Sequence, residues 1–238
     1  MIKAALFDLD GVVFDTESQY SIFWGMIGRE YHPEMPDFEY RIKGQTLVQI
    51  YDKYFTDEAV FAHIEGFTGA KEEQAKITAR LDEFEKTMQY EYIVGFEDFI
   101  SDLKQHGVKC AVVTSSNIQK MLNVYERHPE FKAYFDRVLT SEDFAESKPH
   151  PDCYLKGAAY FGVEPEDCVG LEDSFNGLKA VRASGAFTLG LATTNSREAI
   201  QPLSDYVIDD YRGFSLADLQ RIVENAKYIQ RRTINKSK

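Results

Sequence analysis

The length, composition and charge of the chain exclude several classes of protein. Its 238 residues are enough for one or two domains with a sizeable core, and a hydrophobic fraction of 44% is typical of a soluble globular protein. A formal net charge of -12 argues against general binding to nucleic acid or to membranes, because both rest on clustered positive charge. An anionic substrate would therefore need a metal or locally placed cations.

Three further features favour a cytoplasmic location. The cysteines Cys110, Cys153 and Cys168 lack the close pairing of a metal site, so we expect reduced thiols that pack as small buried groups. No apolar run approaches the roughly 20 residues that cross a membrane. The first strand also begins without the basic and apolar regions of a signal peptide.

The first predicted strand ends in two acids. A short apolar run begins at Ala4 and is typical of a buried strand in a parallel sheet, and Asp8 and Asp10 stand where it ends. Burying an ionised carboxylate without a partner is costly, so we expect these acids at the carboxyl end of the strand or on a cation. Gly11 would let the backbone turn sharply or approach a ligand closely.

The next segment, up to about Met88, predicts helices because its apolar residues recur at helical spacing. We assign residues 16–92 to a helical domain, called the cap below, which is inserted into an α/β core formed by residues 1–15 and 93–238. An insertion directly after a polar loop of this kind is well placed to act as a lid. Its aromatic residues are expected to form the core of the cap.

From about Gly95 the chain alternates between helices and strands, which predicts a mostly parallel sheet with right-handed crossovers. The predicted fold class is therefore α/β, with a doubly wound, Rossmann-like parallel sheet and an inserted α-helical cap. We expect the last residues of the chain, which include Arg231, Arg232, Lys236 and Lys238, to form a frayed, solvated end. The predicted helices cover residues 96–105, 118–126, 151–161, 178–183 and 216–229, and the predicted strands 108–113, 137–140, 168–171, 187–191 and 206–208.

Polar clusters stand at the ends of three predicted strands. They are Asp8 with Asp10, then Thr114, Ser115, Ser116 and Asn117, and finally Glu172 with Asp173. Lys148 follows in a loop of its own. Each cluster alone has an ordinary explanation, such as a helix cap or an acidic first helical turn. Because ligands bind at the carboxyl ends of the strands in open α/β sheets, their shared placement argues for one site.

The combined inventory suits phosphoryl transfer. Mg²⁺ prefers oxygen ligands, and Asp8, Asp173 and Glu172 could supply them. A carboxylate can also attack phosphorus and form an aspartyl phosphate. Lys148 would neutralise negative charge, while Thr114 and nearby amides would bind the phosphoryl oxygens.

Four segments of the chain stand out together: Asp8-Leu9-Asp10-Gly11-Val12, Thr114 after an apolar strand, Lys148-Pro149-x-Pro151, and Gly170-Leu171-Glu172-Asp173-Ser174. They occur in the order of the four motifs of the haloacid dehalogenase superfamily. The whole chain, core and cap, resembles the β-phosphoglucomutase-like branch of that superfamily, whose cap follows the first motif.

The resemblance implies that Asp8 is the nucleophile and that Asp10 is the general acid/base. Mg²⁺ would be held by the Asp8 side chain, the Asp10 backbone carbonyl and Asp173, with Glu172 near the metal or one water away. The implied site also has a set of phosphate- and substrate-binding residues, which includes cap positions. They are Lys148, Thr114, Ser115, Ser116, Asn117, Gly11, Thr16, Gly44, Gln45 and Thr46. Haloalkanoate dehalogenases of the superfamily need no metal, so the full acidic set disfavours dehalogenation.

Two cap positions separate a phosphatase from a mutase. Sugar phosphomutases of this branch, similar to this chain at Thr16 and Gly44, carry a histidine soon after the threonine and an arginine shortly after the glycine. The corresponding residues here are Tyr20 and Leu47. A mutase must hold a second phosphate, and Leu47 cannot bind it.

We therefore expect a monomeric hydrolase that acts on a small phosphomonoester, such as a sugar phosphate. Arg41 or Lys43 could replace the missing cap arginine, so a hexose-phosphate mutase of the β-phosphoglucomutase type stays an alternative. A phosphate-binding protein without turnover is a further alternative, against which the intact acids and Lys148 argue.

Overall fold

A computed structural model describes residues 1–43, 45–61 and 63–236, with side chains through residue 228. The chain forms two units, Met1–Asp15 with the chain from Glu91 onward, and Thr16–Tyr90. The prediction placed residues 91 and 92 in the cap. They join the core unit because the backbone N–H of Asp15 donates to the carbonyl of Glu91 (2.8 Å), and the Tyr92 ring stacks on Phe14 with centroids 4.7 Å apart.

A six-stranded parallel sheet is the centre of the core unit, with the order β3-β2-β1-β4-β5-β6. Strand β1 pairs with β2 on one side and β4 on the other. This order reverses direction between β1 and β4, as in doubly wound folds, and the predicted fold class is confirmed. The strands are β1 (Ala4–Phe7), β2 (Lys109–Val113), β3 (Arg137–Leu139), β4 (Cys168–Glu172), β5 (Phe187–Leu191) and β6 (Tyr206–Ile208).

The helices predicted after Gly95 lie close to their predicted positions, whereas the short helices Phe131–Tyr134 and Arg197–Ile200 were not predicted. In chain order the helices are α1 (Glu17–Tyr31), α2 (Phe38–Arg41), α3 (Leu47–Tyr54), α4 (Ala70–Thr87), α5 (Phe96–Gln105), α6 (Ile118–Arg127), α7 (Phe131–Tyr134), α8 (Asp152–Phe161), α9 (Phe175–Ser184), α10 (Arg197–Ile200) and α11 (Leu216–Lys236). Helix α9 starts earlier than predicted because the Ser174 hydroxyl caps it, accepting from the backbone N–H of Gly177 (3.0 Å).

The closing helix corrects one prediction. Helix α11 continues to Lys236, so Arg231, Arg232 and Lys236 are helical rather than part of a frayed end. Neither glycine nor proline interrupts residues 230–236, and the arginines and lysine there are good helix formers. Lys238 lies outside the described residues.

Strand β1 is buried because helices cover both of its faces. Successive side chains of a strand point to opposite faces. Leu6 accordingly packs with Tyr154 of α8 and Val181 of α9. Phe7 meets Phe96 of α5 on the other face, with ring centroids 6.0 Å apart. Packing on both faces thereby fixes the position of the strand that leads into Asp8.

The cap unit has a hydrophobic core of its own. Helix α1 contributes Phe23 and Ile27, and α4 contributes Ile77 and Leu81, all of them buried. The cap aromatics therefore lie where the helical spacing predicted a core. Within the described residues, we find no helix that combines the length and the apolar character needed to traverse a bilayer.

All three cysteines are buried free thiols. Burial raises the pKa of Cys110 to about 12 and the pKa values of Cys153 and Cys168 to about 11. Because the thiolate is the reactive form, these groups pack as small apolar side chains, as the sequence predicts.

Candidate active site

Lys148 bridges two carboxylates at the carboxyl edge of the sheet. Its Nζ donates to Oδ1 of Asp8 and to Oε1 of Glu172, at 2.6 Å each. The Lys148 side chain is 7% exposed, while those of Asp8 and Glu172 are 13% and 0% exposed. The adjacent ends of β1 and β4 create this arrangement, since the backbone N–H of Asp8 donates to the carbonyl of Leu171 (3.0 Å).

Glu172 is the acceptor at the centre of a wider network. The Tyr154 hydroxyl donates to Oε1 (2.9 Å), while the Ser174 hydroxyl (3.1 Å) and the Asp173 backbone N–H (3.2 Å) donate to Oε2. Both oxygens of this buried carboxylate thus accept from the protein. The network explains why a carboxylate at the end of a central strand is tolerated. A role for Glu172 beside a metal stays a prediction.

The electrostatics of the site follow from burial and from crowded carboxylates. Burial raises the pKa of Asp8 from its ordinary 3.8 to about 7; Lys148 opposes this shift, whereas Glu172 and Asp10 add to it. Burial also disfavours the charged form of Lys148, but Asp8 and Glu172 outweigh that effect and raise its pKa above the usual range. Lys148 is therefore a fixed cation.

The acids can hold a cation. Asp8, Glu172 and Asp173 each offer a carboxylate oxygen, and these oxygens lie within 4.8 Å of one another. Hard divalent cations prefer oxygen ligands of this kind, and a cation here would offset the carboxylate charge that raises the pKa of Asp8. The donor set therefore fits a divalent metal.

Asp10 has partners of a different kind. Lys120 Nζ lies 2.6 Å from both carboxylate oxygens of Asp10, and the Ser116 hydroxyl donates to Oδ2 at 3.0 Å. Asp8 and Asp10 are two residues apart in the chain, and each is paired with its own lysine.

The polar segment after β2 lies beside the acids of β1. The buried hydroxyl of Thr114 accepts from the Ser116 backbone N–H (3.0 Å), and Ser115 is exposed. The Asn117 side chain caps α6 by accepting from the Lys120 backbone N–H (2.8 Å). This segment therefore shapes the loop and begins the helix, and its contact with phosphate stays a prediction.

The predicted cap residues belong to the other unit. Thr16 is buried at the start of α1, and the Gln45 side chain donates to the carbonyl of Arg41 (2.8 Å). Thr46 forms a capping box with Gln49 at the start of α3. Gly44 lies outside the described residues.

Three residues of the site were not predicted from the sequence. Lys120 looks like a surface lysine on an amphipathic helix, and Tyr154 looks like an ordinary core aromatic. Thr194 had a detectable signal, because it belongs to a polar run that follows β5, just as the predicted clusters follow their strands. Its hydroxyl donates to Oδ2 of Asp173, and the neighbouring Thr193 hydroxyl donates to the carbonyl of Gly11 (2.5 Å).

Carboxylates, a lysine and hydroxyl groups thus meet at the carboxyl edge of a doubly wound sheet, which is the arrangement of an α/β enzyme. Residues 2–185 match the family model of the haloacid dehalogenase-like hydrolases. This match covers most of the chain, and the chain belongs to that family. The family membership inferred from the four motifs is therefore confirmed.

Known relatives include a mutase and a phosphatase. The chain is 28% identical over 196 residues to the β-phosphoglucomutase of Bacillus subtilis, covering 80% of this chain and 83% of the relative. It is 26% identical over 195 residues to hexitol phosphatase B of Escherichia coli, covering 77% and 80%. The structure of a β-phosphoglucomutase from Clostridium difficile superposes with a TM-score of 0.72 at 22% identity, covering 96% of this chain and 99% of that one. These similarities agree with the β-phosphoglucomutase-like resemblance of the four motifs.

Proposed function

We propose that the chain is a Mg²⁺-dependent phosphatase that hydrolyses a small phosphomonoester, a sugar phosphate, through an aspartyl phosphate on Asp8. The observation that carries the proposal is the bridge from Lys148 to Asp8 and Glu172, both at 2.6 Å. A buried lysine beside a nucleophilic carboxylate can neutralise the charge of the attacking oxygen and of the transferred phosphoryl group.

The proposed reaction has two steps. An Asp8 oxygen attacks phosphorus, the bond from phosphorus to the ester oxygen breaks, and Asp10 gives that oxygen a proton. A water then attacks the aspartyl phosphate and loses a proton to Asp10, which releases inorganic phosphate and restores Asp8. Thr114 and Ser115 would bind the phosphoryl oxygens, and Gly11, Ser116 and Asn117 would line the site.

Mg²⁺ would be held by the carboxylates of Asp8 and Asp173 and by the backbone carbonyl of Asp10, with Glu172 nearby. The oxygen cluster within 4.8 Å supports this assignment. When bound, the metal would offset the charge of the acids and of the phosphate.

Two cap residues favour the phosphatase over a mutase. The Tyr20 hydroxyl donates to Oε1 of Glu85 (2.7 Å), so it is engaged within the cap unit. Leu47 packs against the hydrophobic core of that unit. Neither residue supplies a cation for a second phosphate. Gln45 and Thr46 are the proposed contacts to substrate hydroxyls, and Thr16 and Gly44 are further proposed substrate-binding residues.

The test is a steady-state screen of phosphate release with Mg²⁺ and with EDTA, on hexose phosphates, pentose phosphates and pyrophosphate. We expect metal-dependent release that Asp8→Asn lowers by about a thousandfold or more, as for removal of other covalent nucleophiles. Asp98→Asn makes the same chemical change at an exposed position of α5 and should leave the rate unchanged.

Two results would overturn the proposal. Conversion of β-glucose 1-phosphate to glucose 6-phosphate in the presence of its bisphosphate activator, without phosphate release, would establish the mutase. Binding of inorganic phosphate without turnover of any ester would establish a binding protein.

The proposed enzyme is also cytoplasmic and monomeric. Sedimentation of the purified chain tests whether it is a monomer.

A further inference from the structure

Lys120 is an unusually buried lysine. It lies in the first turn of α6, and its side chain is only 3% exposed. Removing an ammonium group from water is costly unless a charged partner compensates for it, so lysines are almost never buried unpaired. Its burial therefore requires an acid at this position.

That acid is Asp10. Both of its carboxylate oxygens lie 2.6 Å from Lys120 Nζ, and the Ser116 hydroxyl holds Oδ2 from a second direction. The Asp10 side chain is 18% exposed, so water screens the pair only partly. Two donors at different positions leave the carboxylate plane little freedom to rotate.

The backbone under Lys120 is also fixed. Asn117 caps α6 by accepting from the backbone N–H of Lys120 at 2.8 Å, and α6 begins directly after the loop of β2. Lys120, the partner of Asp10, thus lies on a capped helix that follows β2, and β2 pairs with β1. All of these residues belong to the core unit.

We propose that Lys120 is a positioning residue, which holds the Asp10 carboxylate in place for proton transfer to the ester oxygen. The inference rests on the proposed function. Proton transfer requires heavy atoms within about 2.6–3.2 Å, and loss of such alignment costs rate even when every reacting group is present. Lys148 is thus paired with the proposed nucleophile Asp8, whereas Lys120 is paired with the proposed acid/base Asp10.

The first experiment tests the ion pair without any substrate. Thermal melting is measured for wild type, Lys120→Met, Asp10→Asn and the double variant. We expect Lys120→Met to stay folded, because methionine fills a similar volume and the remaining Asp10 carboxylate, 18% exposed, is partly solvated. Asp10→Asn should lower the melting temperature several degrees more in wild type than in Lys120→Met. Equal shifts in both backgrounds would overturn the pairing.

The second experiment compares leaving groups through kcat/KM, which reports steps only up to formation of the aspartyl phosphate. The substrates are the best hexose phosphate from the screen and p-nitrophenyl phosphate, whose leaving group departs with little need for a proton. For Lys120→Met we expect a fall of about 10- to 100-fold on the sugar phosphate and less than about threefold on the aryl ester. Lys120→Arg should restore part of the rate.

The controls separate the possible roles. Lys179→Met removes an exposed lysine from α9 and should change neither substrate. In the Asp10→Asn background, Lys120→Met should have no further effect. An equal fall on both substrates would overturn the proposal and make Lys120 a phosphate ligand or a purely structural residue. If wild type hydrolyses no ester, the proposed function fails, while the melting experiment still decides whether the pair exists.

Discussion

The Thr194 hydroxyl donates a hydrogen bond to Oδ2 of Asp173, although the two residues follow different strands. The Asn195 side chain donates a second hydrogen bond, to the Asp173 backbone carbonyl, at 3.0 Å. The loop after β5 therefore orients a carboxylate that follows β4. Hydrogen bonds of this kind usually decide how well a carboxylate binds a metal.

Thr194→Val should therefore weaken Mg²⁺ binding, because it removes the hydroxyl and keeps the shape of the side chain. We expect a loss of about tenfold or more in affinity, measured by calorimetry, and little change with Thr194→Ser. Thr188→Val is a matched control, since the Thr188 hydroxyl is buried and has no hydrogen-bond partner among the described residues. Unchanged Mg²⁺ affinity in Thr194→Val would refute the orienting role.

Lys148→Met should destabilise the metal-free protein. It leaves Asp8 and Glu172 buried without their shared cation, and breaking a buried pair in this way costs about 3–5 kcal/mol. The measurement is urea unfolding near neutral pH. Lys156→Met is the control, because its partly exposed pair with Asp152 should contribute less than about 1 kcal/mol. Similar losses in the two variants would contradict the buried bridge.

Gly11→Ala should lower the free energy of unfolding by more than backbone strain alone would. Gly11 has a φ of 71°, and an added Cβ would meet Oδ2 of Asp173 and lie 2.7 Å from the Thr194 hydroxyl oxygen. Gly107 has a φ of 74° with nothing near an added Cβ, so Gly107→Ala measures the strain by itself, about 1–2 kcal/mol. We expect greater destabilisation and weaker Mg²⁺ binding only in Gly11→Ala. Equal unfolding midpoints would contradict the close approach.

Mg²⁺ affinity should fall as the pH drops below 7. The pKa of Asp8, raised to about 7 in the metal-free protein, means that this carboxyl carries a proton at lower pH, and a cation must displace it. We therefore expect the Mg²⁺ affinity to fall about tenfold per pH unit between about pH 7 and pH 5. Calorimetry in two buffers of different ionisation enthalpy counts the released protons. If Asp8→Asn keeps the same pH dependence, another group is responsible.

The sequence by itself determined the fold and the main acids. Apolar strands such as the one beginning at Ala4 are buried on both faces, so they stand out, and the polar residues that end them mark one edge of a parallel sheet. Asp8, Asp10, Glu172 and Asp173 were predicted to lie at this edge in this way. The end of the last helix was predicted too early, because charged residues near a terminus suit a solvated helix as well as a tail.

Only the tertiary structure decided which residues support those acids. Lys120, Tyr154 and Thr194 have the local patterns of a surface lysine, a core aromatic and a loop threonine. Their partners are distant in the chain, and Lys120 lies 110 positions from Asp10. Local sequence patterns report the period of a helix or strand, whereas an ion pair between residues far apart in the chain depends on how strands and helices pack. Burial then makes such a pair strong, because it removes the water that would compete for the same charges.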